Sequence, residues 1–357
     1  MQLLSLLLLH AAAASTVAGA VDVQLVLSGT VPASQRPVAL RTATILARQI
    51  EQRCNATVAP PPPTARRPES RSQDAALVKI ELALDQSLGT EAYAIRDGTN
   101  GSSSVAIVGG DVRGLLFGAG KFLRSSRFDG PRSAPFTPGE WRGTGAPHLP
   151  GSFRGHYFAV HYDNFYQSAP ESEVATYMED IALWGVNTII VGTPGPGTFA
   201  PGHSTVLPGA PQIAVLVNRT RSLLQLAVEI GLSPALIMVP NQGFDNGTHA
   251  HPATPSGHSP FPYTPFPDPL RVRGNLGALT CPFKGHDYLL DIRRKELEVY
   301  SDIGIDWIVF WPYDEGGCGC EDDWPWGGKG FPRISSKMAT MGRTICVYAI
   351  TSDTAIR

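Results

Sequence analysis

Three times in the second half of this chain, a helical pattern ends at a glycine and leads directly into an apolar run. Val174, Tyr177, Met178 and Ile181 share one helical face, Gly185 follows, and Val186–Val191 comes next. Leu223, Leu224, Val228 and Ile230 lead to Gly231 and then Ala235–Val239; Leu289, Ile292, Val299 and Ile303 lead to Gly304 and then Trp307–Trp311. Glycine suits a helix C-terminus, where the chain turns through a left-handed conformation. Nearly continuous apolar strands imply burial on both faces, the condition of a parallel sheet covered by helices. With a further strand candidate at Arg154–Val160, four strands alternate with three helices. Ser168 and Glu171 have capping-box spacing, with Pro170 at the first helical turn.

Each strand is followed by a loop rich in Gly, Pro, His, Asn and aromatic residues. The longest, residues 240–280, holds seven prolines between Pro252 and Pro269. In a (β/α)8 barrel the active-site loops sit at these carboxyl ends, although an open doubly wound sheet binds ligands at the same edge. The loops favour the barrel. A full barrel takes about 250 residues, and the tail from Met338 shows no further cycle. The expected fold is α/β: a C-terminally truncated, partial (β/α)8 TIM barrel over residues 151–357.

Residues 21–150 predict a separate α/β unit. Strand patterns lie at Val21–Leu27, Leu77–Leu84, Tyr93–Ile95 and Val105–Val108, and helical patterns at Arg41–Arg53 and after Gly109-Gly110-Asp111. Residues 59–73 form a proline-rich charged loop, and residues 129–152 read as a linker to the barrel. Gly109-Gly110-Asp111-Val112-Arg113-Gly114 lacks the spacing of a phosphate-binding turn, so close helix–sheet packing is expected there.

The first 20 residues carry a short leucine-rich run ending in Ala18-Gly19-Ala20, a signal peptide pattern cleaved before Val21. Asn55, Asn100, Asn218 and Asn246 each open an N-x-S/T glycosylation acceptor. Together they predict a secreted or endomembrane-lumenal glycoprotein, with no membrane span once the signal is removed. The net charge of −2 gives no basic surplus for nucleic acid. Five cysteines leave at least one thiol unpaired within the chain.

The segment with the most chemistry follows the fourth strand. Asp314 and Glu315 stand just past Trp307–Trp311, with Trp324 and Trp326 beyond. Carboxylates among indoles suit sugars, whose apolar faces stack on rings. Adjacent side chains on a strand point to opposite faces. Two neighbouring acids therefore do not easily flank one glycosidic bond at the separations of about 5–9.5 Å that two-carboxylate mechanisms use. They fit a division of labour in which Glu315 protonates the leaving oxygen and Asp314 orients an N-acetyl group that attacks the anomeric carbon. Such an acid needs a pKa raised by apolar surroundings. Cys318-Gly-Cys320 with Glu321, Asp322 and Asp323 lacks the spacing of a structural zinc site, and a disulfide from Cys318 or Cys320 to Cys281 or Cys346 is the preferred reading. His249, His251 and His258 are expected as solvated loop residues. No metal and no cofactor is expected.

Three stretches together resemble family 20 glycoside hydrolases, the β-N-acetylhexosaminidases, and relatives sharing their N-terminal α/β domain, such as family 67 α-glucuronidases. Residues 105–124 resemble the end of that domain. Phe153-Arg154-Gly155-His156-Tyr157-Phe158 resembles the approach to the first barrel strand, and Asp314-Glu315 the catalytic pair. The resemblance implies a glycoside hydrolase acting on (N-acetyl)amino sugars or uronic acids in glycans. It assigns Glu315 as acid/base, Asp314 as orienter and Arg154 as a contact to sugar hydroxyls, although a salt bridge facing the linker would equally explain Arg154. Asn241, Trp311, Trp324 and Trp326 are further candidate substrate contacts. Pro312-Tyr313 stands where the family has Gly-Gly. A catalytically inactive carbohydrate-binding homologue, or a truncated product, is the alternative.

Overall fold

In a computed structural model of the chain, the structure describes residues 22–61, 78–98, 104–131, 134–160, 164–192, 211–238, 240, 282–310 and 329–338. The first unit is built on a six-stranded sheet. Its strands are β1 (Val23–Leu27), β2 (Val58–Ala59), β3 (Val78–Leu84), β4 (Tyr93–Asp97), β5 (Ser104–Gly109) and β6 (Gly143–Gly145), in the order β2-β1-β3-β5-β4-β6. β2, β1, β3 and β5 are parallel, and β4 runs antiparallel to β5 and β6. In β3, Val78, Ile80, Leu82 and Leu84 are buried and the residues between them partly exposed, the period of two that the sequence shows.

Helices α1 (Arg36–Cys54) and α2 (Val112–Ser125) pack on this sheet. The α1 pattern starts five residues earlier than its apolar spacing indicates, because Pro37 fixes the first turn. Asp111 caps α2: its carboxylate accepts from the Gly114 amide at 2.7 Å and from the Glu91 amide at 3.0 Å.

The second unit runs β7 (Gly155–Phe158), α3 (Phe165–Ser168), α4 (Glu171–Leu183), β8 (Thr188–Gly192), α5 (Pro211–Ile230), β9 (Ser233–Met238), α6 (Pro282–Glu298), β10 (Trp307–Phe310) and α7 (Gly330–Met338). Its four strands are all parallel, in the order β10-β9-β8-β7. Each strand lies beside its predecessor with no reversal. That is the winding of a barrel; a doubly wound sheet switches direction at its ligand-binding crevice. The three expected glycines, Gly185, Gly231 and Gly304, all have positive φ, as the turn from helix into strand requires.

One face of this sheet joins a core continuous with the first unit: Leu46, Ile50, Phe122, Phe158, Met178, Leu224, Leu236 and Phe310 belong to a single cluster. The other face holds Ile190, Ala235 and Val309, with Phe153, Tyr157, Ile237 and Trp307 packed against them.

Several local expectations are corrected. Residues 129–152 are not a bare linker. They contribute β6, bury Phe136, and bridge Arg127 to Thr137. Ser168 does not cap α4; it ends α3, which Asn164 caps through its side chain, and α4 starts after Pro170 without a side-chain cap. Val228 points to solvent, and Ala227 takes the buried position beside Leu223, Leu224 and Ile230. Val299 and Ile303 lie beyond the end of α6. The helix α7 was not anticipated.

Candidate active site

All four strands of the second sheet end at one edge, at Phe158, Gly192, Met238 and Phe310. The chain leaving β9 carries Asn241, and the chain leaving β10 carries Trp311, Asp314, Glu315, Trp324 and Trp326. These six lie outside the described residues, as do Asn100 and Asn246. Cys54 is the one cysteine among the described residues; its thiol donates to the Ile50 carbonyl at 3.3 Å. Cys281, Cys318, Cys320 and Cys346 lie outside them.

The described part of this edge is shaped by β7. Strand alternation sends His156 and Phe158 towards the helices and Tyr157 onto the inner face. The Tyr157 hydroxyl stands 3.1 Å from where a Cβ at Gly192 would be, so the phenol rises to the carboxyl end of β8. Tyr157 was not singled out from the sequence. Its signal was the alternation within Gly155–Phe158, which only a known barrel interior turns into a site. At the opposite, amino end of the inner face, Phe153 meets Trp307 edge-on at 5.5 Å.

The helix-facing side of β7 braces the chain that leaves it. His156 Nε2 lies 3.3 Å from the Tyr166 hydroxyl and 3.2 Å from that of Tyr177. Burial lowers the His156 pKa, which favours the neutral imidazole. Burial, together with a hydrogen bond to Tyr177, pushes the Tyr166 phenol up to about 12. Phe158 stacks on Tyr166 at 4.5 Å. Asn164 donates to the Ala159 carbonyl at 2.6 Å, and Arg219 holds the Tyr166 and Ala169 carbonyls at 2.8 and 2.7 Å.

Arg154 does not reach this edge. It precedes β7, at the amino end of the sheet, and its guanidinium is engaged there. Nη2 donates to Glu91 Oε2 at 2.8 Å, Nε to the Gly185 carbonyl at 2.8 Å, and Nη1 to Ser152. Its Cζ lies 5.3 Å from the centre of the Phe117 ring. The salt-bridge reading of Arg154 is the one its geometry supports, because its guanidinium is held at the amino end of the sheet, the length of β7 away from the loops at the carboxyl end.

Of the sequons, Asn55 is exposed in the left-handed turn that ends α1, a fitting surface acceptor. Asn218 is also exposed, but it lies within α5, and its partner Thr220 is fully buried. Among the described residues, no cluster of His, Cys, Asp and Glu is arranged to hold a metal ion, and no helix is long and apolar enough to cross a membrane.

No family model matches the sequence, and no curated protein does. Solved structures match in fold. The family 20 exo-β-N-acetylglucosaminidase of Vibrio harveyi superposes with a TM-score of 0.54 at 10% identity, over 92% of this chain and 51% of that one. The family 20 β-N-acetylhexosaminidase of Streptomyces coelicolor A3(2) gives 0.55 at 14% identity, over 91% and 62%. The β-hexosaminidase of Streptomyces plicatus gives 0.53 at 13%, over 91% and 61%. The chain thus spans between about half and three fifths of these proteins. At such identity the likeness concerns the fold, which is of the family 20 type: an α/β unit followed by a partial barrel.

Proposed function

We propose that this chain is a glycoside hydrolase of the hexosaminidase type, acting on glycosidic bonds of N-acetylated amino sugars or uronic acids in glycans. The observation that carries the reading is the unreversed order β7-β8-β9-β10. β9 and β10 end at a single carboxyl edge, where barrels place their catalytic groups, and Asn241, Asp314 and Glu315 follow these strands in the sequence. The named activities of the proteins sharing this fold point the same way.

In this mechanism Glu315 gives its proton to the glycosidic oxygen. On an N-acetylated amino sugar Asp314 orients the acetamido group, whose carbonyl oxygen attacks the anomeric carbon as the bond to the protonated leaving oxygen breaks. Glu315, now a carboxylate, takes a proton from the water that completes hydrolysis. Tyr157 offers a hydroxyl to the sugar from the inner wall, and Asn241, Trp311, Trp324 and Trp326 line the rest. Arg154 has no part in it. The protein works outside the cytoplasm, after removal of residues 1–20, with glycans on Asn55, Asn100, Asn218 and Asn246; a mobility shift on deglycosylation tests this.

Release of the aryl group from nitrophenyl N-acetylglucosaminide and nitrophenyl glucuronide tests the activity and separates the two sugar classes. Glu315→Gln is expected to be slower on whichever is cleaved. A variant as active as the parent overturns the assignment. Glycan binding without release would favour the inactive homologue.

A further inference from the structure

Across the surface where α2 meets the end of α4 runs a strip of aromatic rings, each attended by a cation. Trp184, just past α4, is 75% exposed, more than any other large apolar side chain among the described residues. Arg124 of α2 lays its guanidinium over the indole, with Cζ 4.6 Å from the ring centre, and Nη1 is fixed by a 2.6 Å bond to the Leu183 carbonyl. Nearly one turn earlier on α2, Lys121 Nζ stands 4.7 Å over the Trp141 ring, which lies 6.3 Å from Tyr93. Lys121 and Arg124 stand three residues apart on α2, on one face of the helix, which sets the two indoles side by side.

The charges in this strip are unbalanced. Elsewhere on the surface Arg142 pairs with Asp97 at 2.7 Å and Arg221 with Asp302 at 2.6 Å. Neither Lys121 nor Arg124 has a carboxylate partner among the described residues. The strip is also remote from the proposed catalytic edge. α4 runs antiparallel to its strands, so Trp184 lies at the amino end of the sheet, opposite the chain leaving β10.

An exposed indole presents an apolar face that the C–H face of a pyranose can cover, and a guanidinium or ammonium beside it recognises a carboxylate or sulfate. One exposed indole with a second, half-buried one beside it, each attended by a cation, suits an extended chain of sugars better than an enclosed small molecule. We propose that Trp184, Arg124, Tyr93, Trp141 and Lys121 form a secondary binding surface for an anionic saccharide chain, carboxylated or sulfated. From the proposed function this takes only that the protein meets glycans; it requires no turnover.

Native electrophoresis of the full chain through gels containing polygalacturonate, dextran sulfate or neutral dextran tests the surface. The parent is expected to be retarded by polygalacturonate, dextran sulfate or both, which tells carboxylate from sulfate recognition, and not by neutral dextran. Trp184→Ala and the double variant Arg124→Ala/Lys121→Ala should each bind about tenfold more weakly, and Trp184→Tyr should keep most of the affinity. Trp184 is exposed, so its replacement should leave the fold intact, which far-ultraviolet circular dichroism verifies. Unchanged retardation of Trp184→Ala, equal retardation in neutral dextran, or no retardation at all overturns the proposal. So does concentration-dependent self-association that Trp184→Ala abolishes, since it would make the strip a protein interface. Retardation without any glycoside cleavage would sink the hydrolase reading and leave this surface standing.

Discussion

Glu91 Oε2 accepts a hydrogen bond from Arg154 Nη2 at 2.8 Å, across the joint between the two α/β units. The carboxylate has no solvent exposure. Its other oxygen accepts from Asn187 Nδ2 at 2.8 Å and faces Arg113 Nη1 at 3.8 Å. Glu91 holds a left-handed backbone, φ 59°, a conformation that costs a non-glycine residue about 1 kcal/mol and persists only where the surroundings over-determine it. Arg113 continues the joint to the Gly231 carbonyl and Ser233, and Glu179 receives Arg41 and Arg48 from α1.

Glu91→Ala would leave Arg154 and Asn187 facing an empty buried site. A loss of about 2–3 kcal/mol is expected, below the range for a fully buried pair because Arg154 is 29% exposed. Arg154→Ala should destabilise by less, and the double variant by less than the sum. Chemical denaturation measures all three. Arg154→Ala should leave KM unchanged; a raised KM at unchanged stability would restore a sugar-contacting role.

A Cβ at Gly120 would stand 2.0 Å from the Leu183 carbonyl oxygen. Gly120→Ala must therefore push α2 away from the end of α4, at a cost of about 1–3 kcal/mol. A thermal melt of this variant that matches the parent would show that the two helices are not in contact.

The sequence carries what is periodic and local. The apolar face of α4, most of that of α5, the strands that follow the helices and the positive-φ glycines between them follow from spacing and from steric limits on the backbone. What it hides is long-range. Nothing near Glu91 marks it as the partner of Arg154, 63 residues away. Residues 129–152 contain few apolar residues in any period, so their pairing with β4 and the burial of Phe136 are decided by tertiary contacts. Ser168 had the spacing of a cap, but Asn164 caps an extra short helix just before it. At the site, Asp314 and Glu315 are read from their position after the fourth strand pattern and lie outside the described residues, whereas Tyr157 needs the inner face of the sheet to be known.

Glu296 in α6 is fully buried beside Arg293, whose Nη1 lies 2.7 Å from Oε2. Burial pushes its carboxyl up to about 7 against the opposing pull of Arg293. The unfolded value lies near 4.5, so between these two values the folded state holds more protons than the unfolded state. Stability from this group is therefore greatest below about pH 4.5 and falls as pH rises to about 7. Glu296→Gln removes that slope while keeping an acceptor for Arg293. The difference in Tm between about pH 5 and about pH 7 should shrink; an unchanged difference would contradict the assignment.

Tyr157→Phe keeps the ring in the inner cluster and removes one hydroxyl. A loss of about 2–10-fold in kcat/KM with little change in Tm is expected. Unaltered kinetics would place the substrate away from β7.

The leaving-group dependence of Glu315→Gln reaches the central claim most directly. A sugar leaving group needs a proton, whereas nitrophenolate departs readily without one. The variant should lose about 10²–10⁴-fold on a disaccharide and markedly less on the nitrophenyl glycoside of the same sugar. Equal losses on both substrates, or none, would contradict the account of Glu315 as the acid at the carboxyl end of β10.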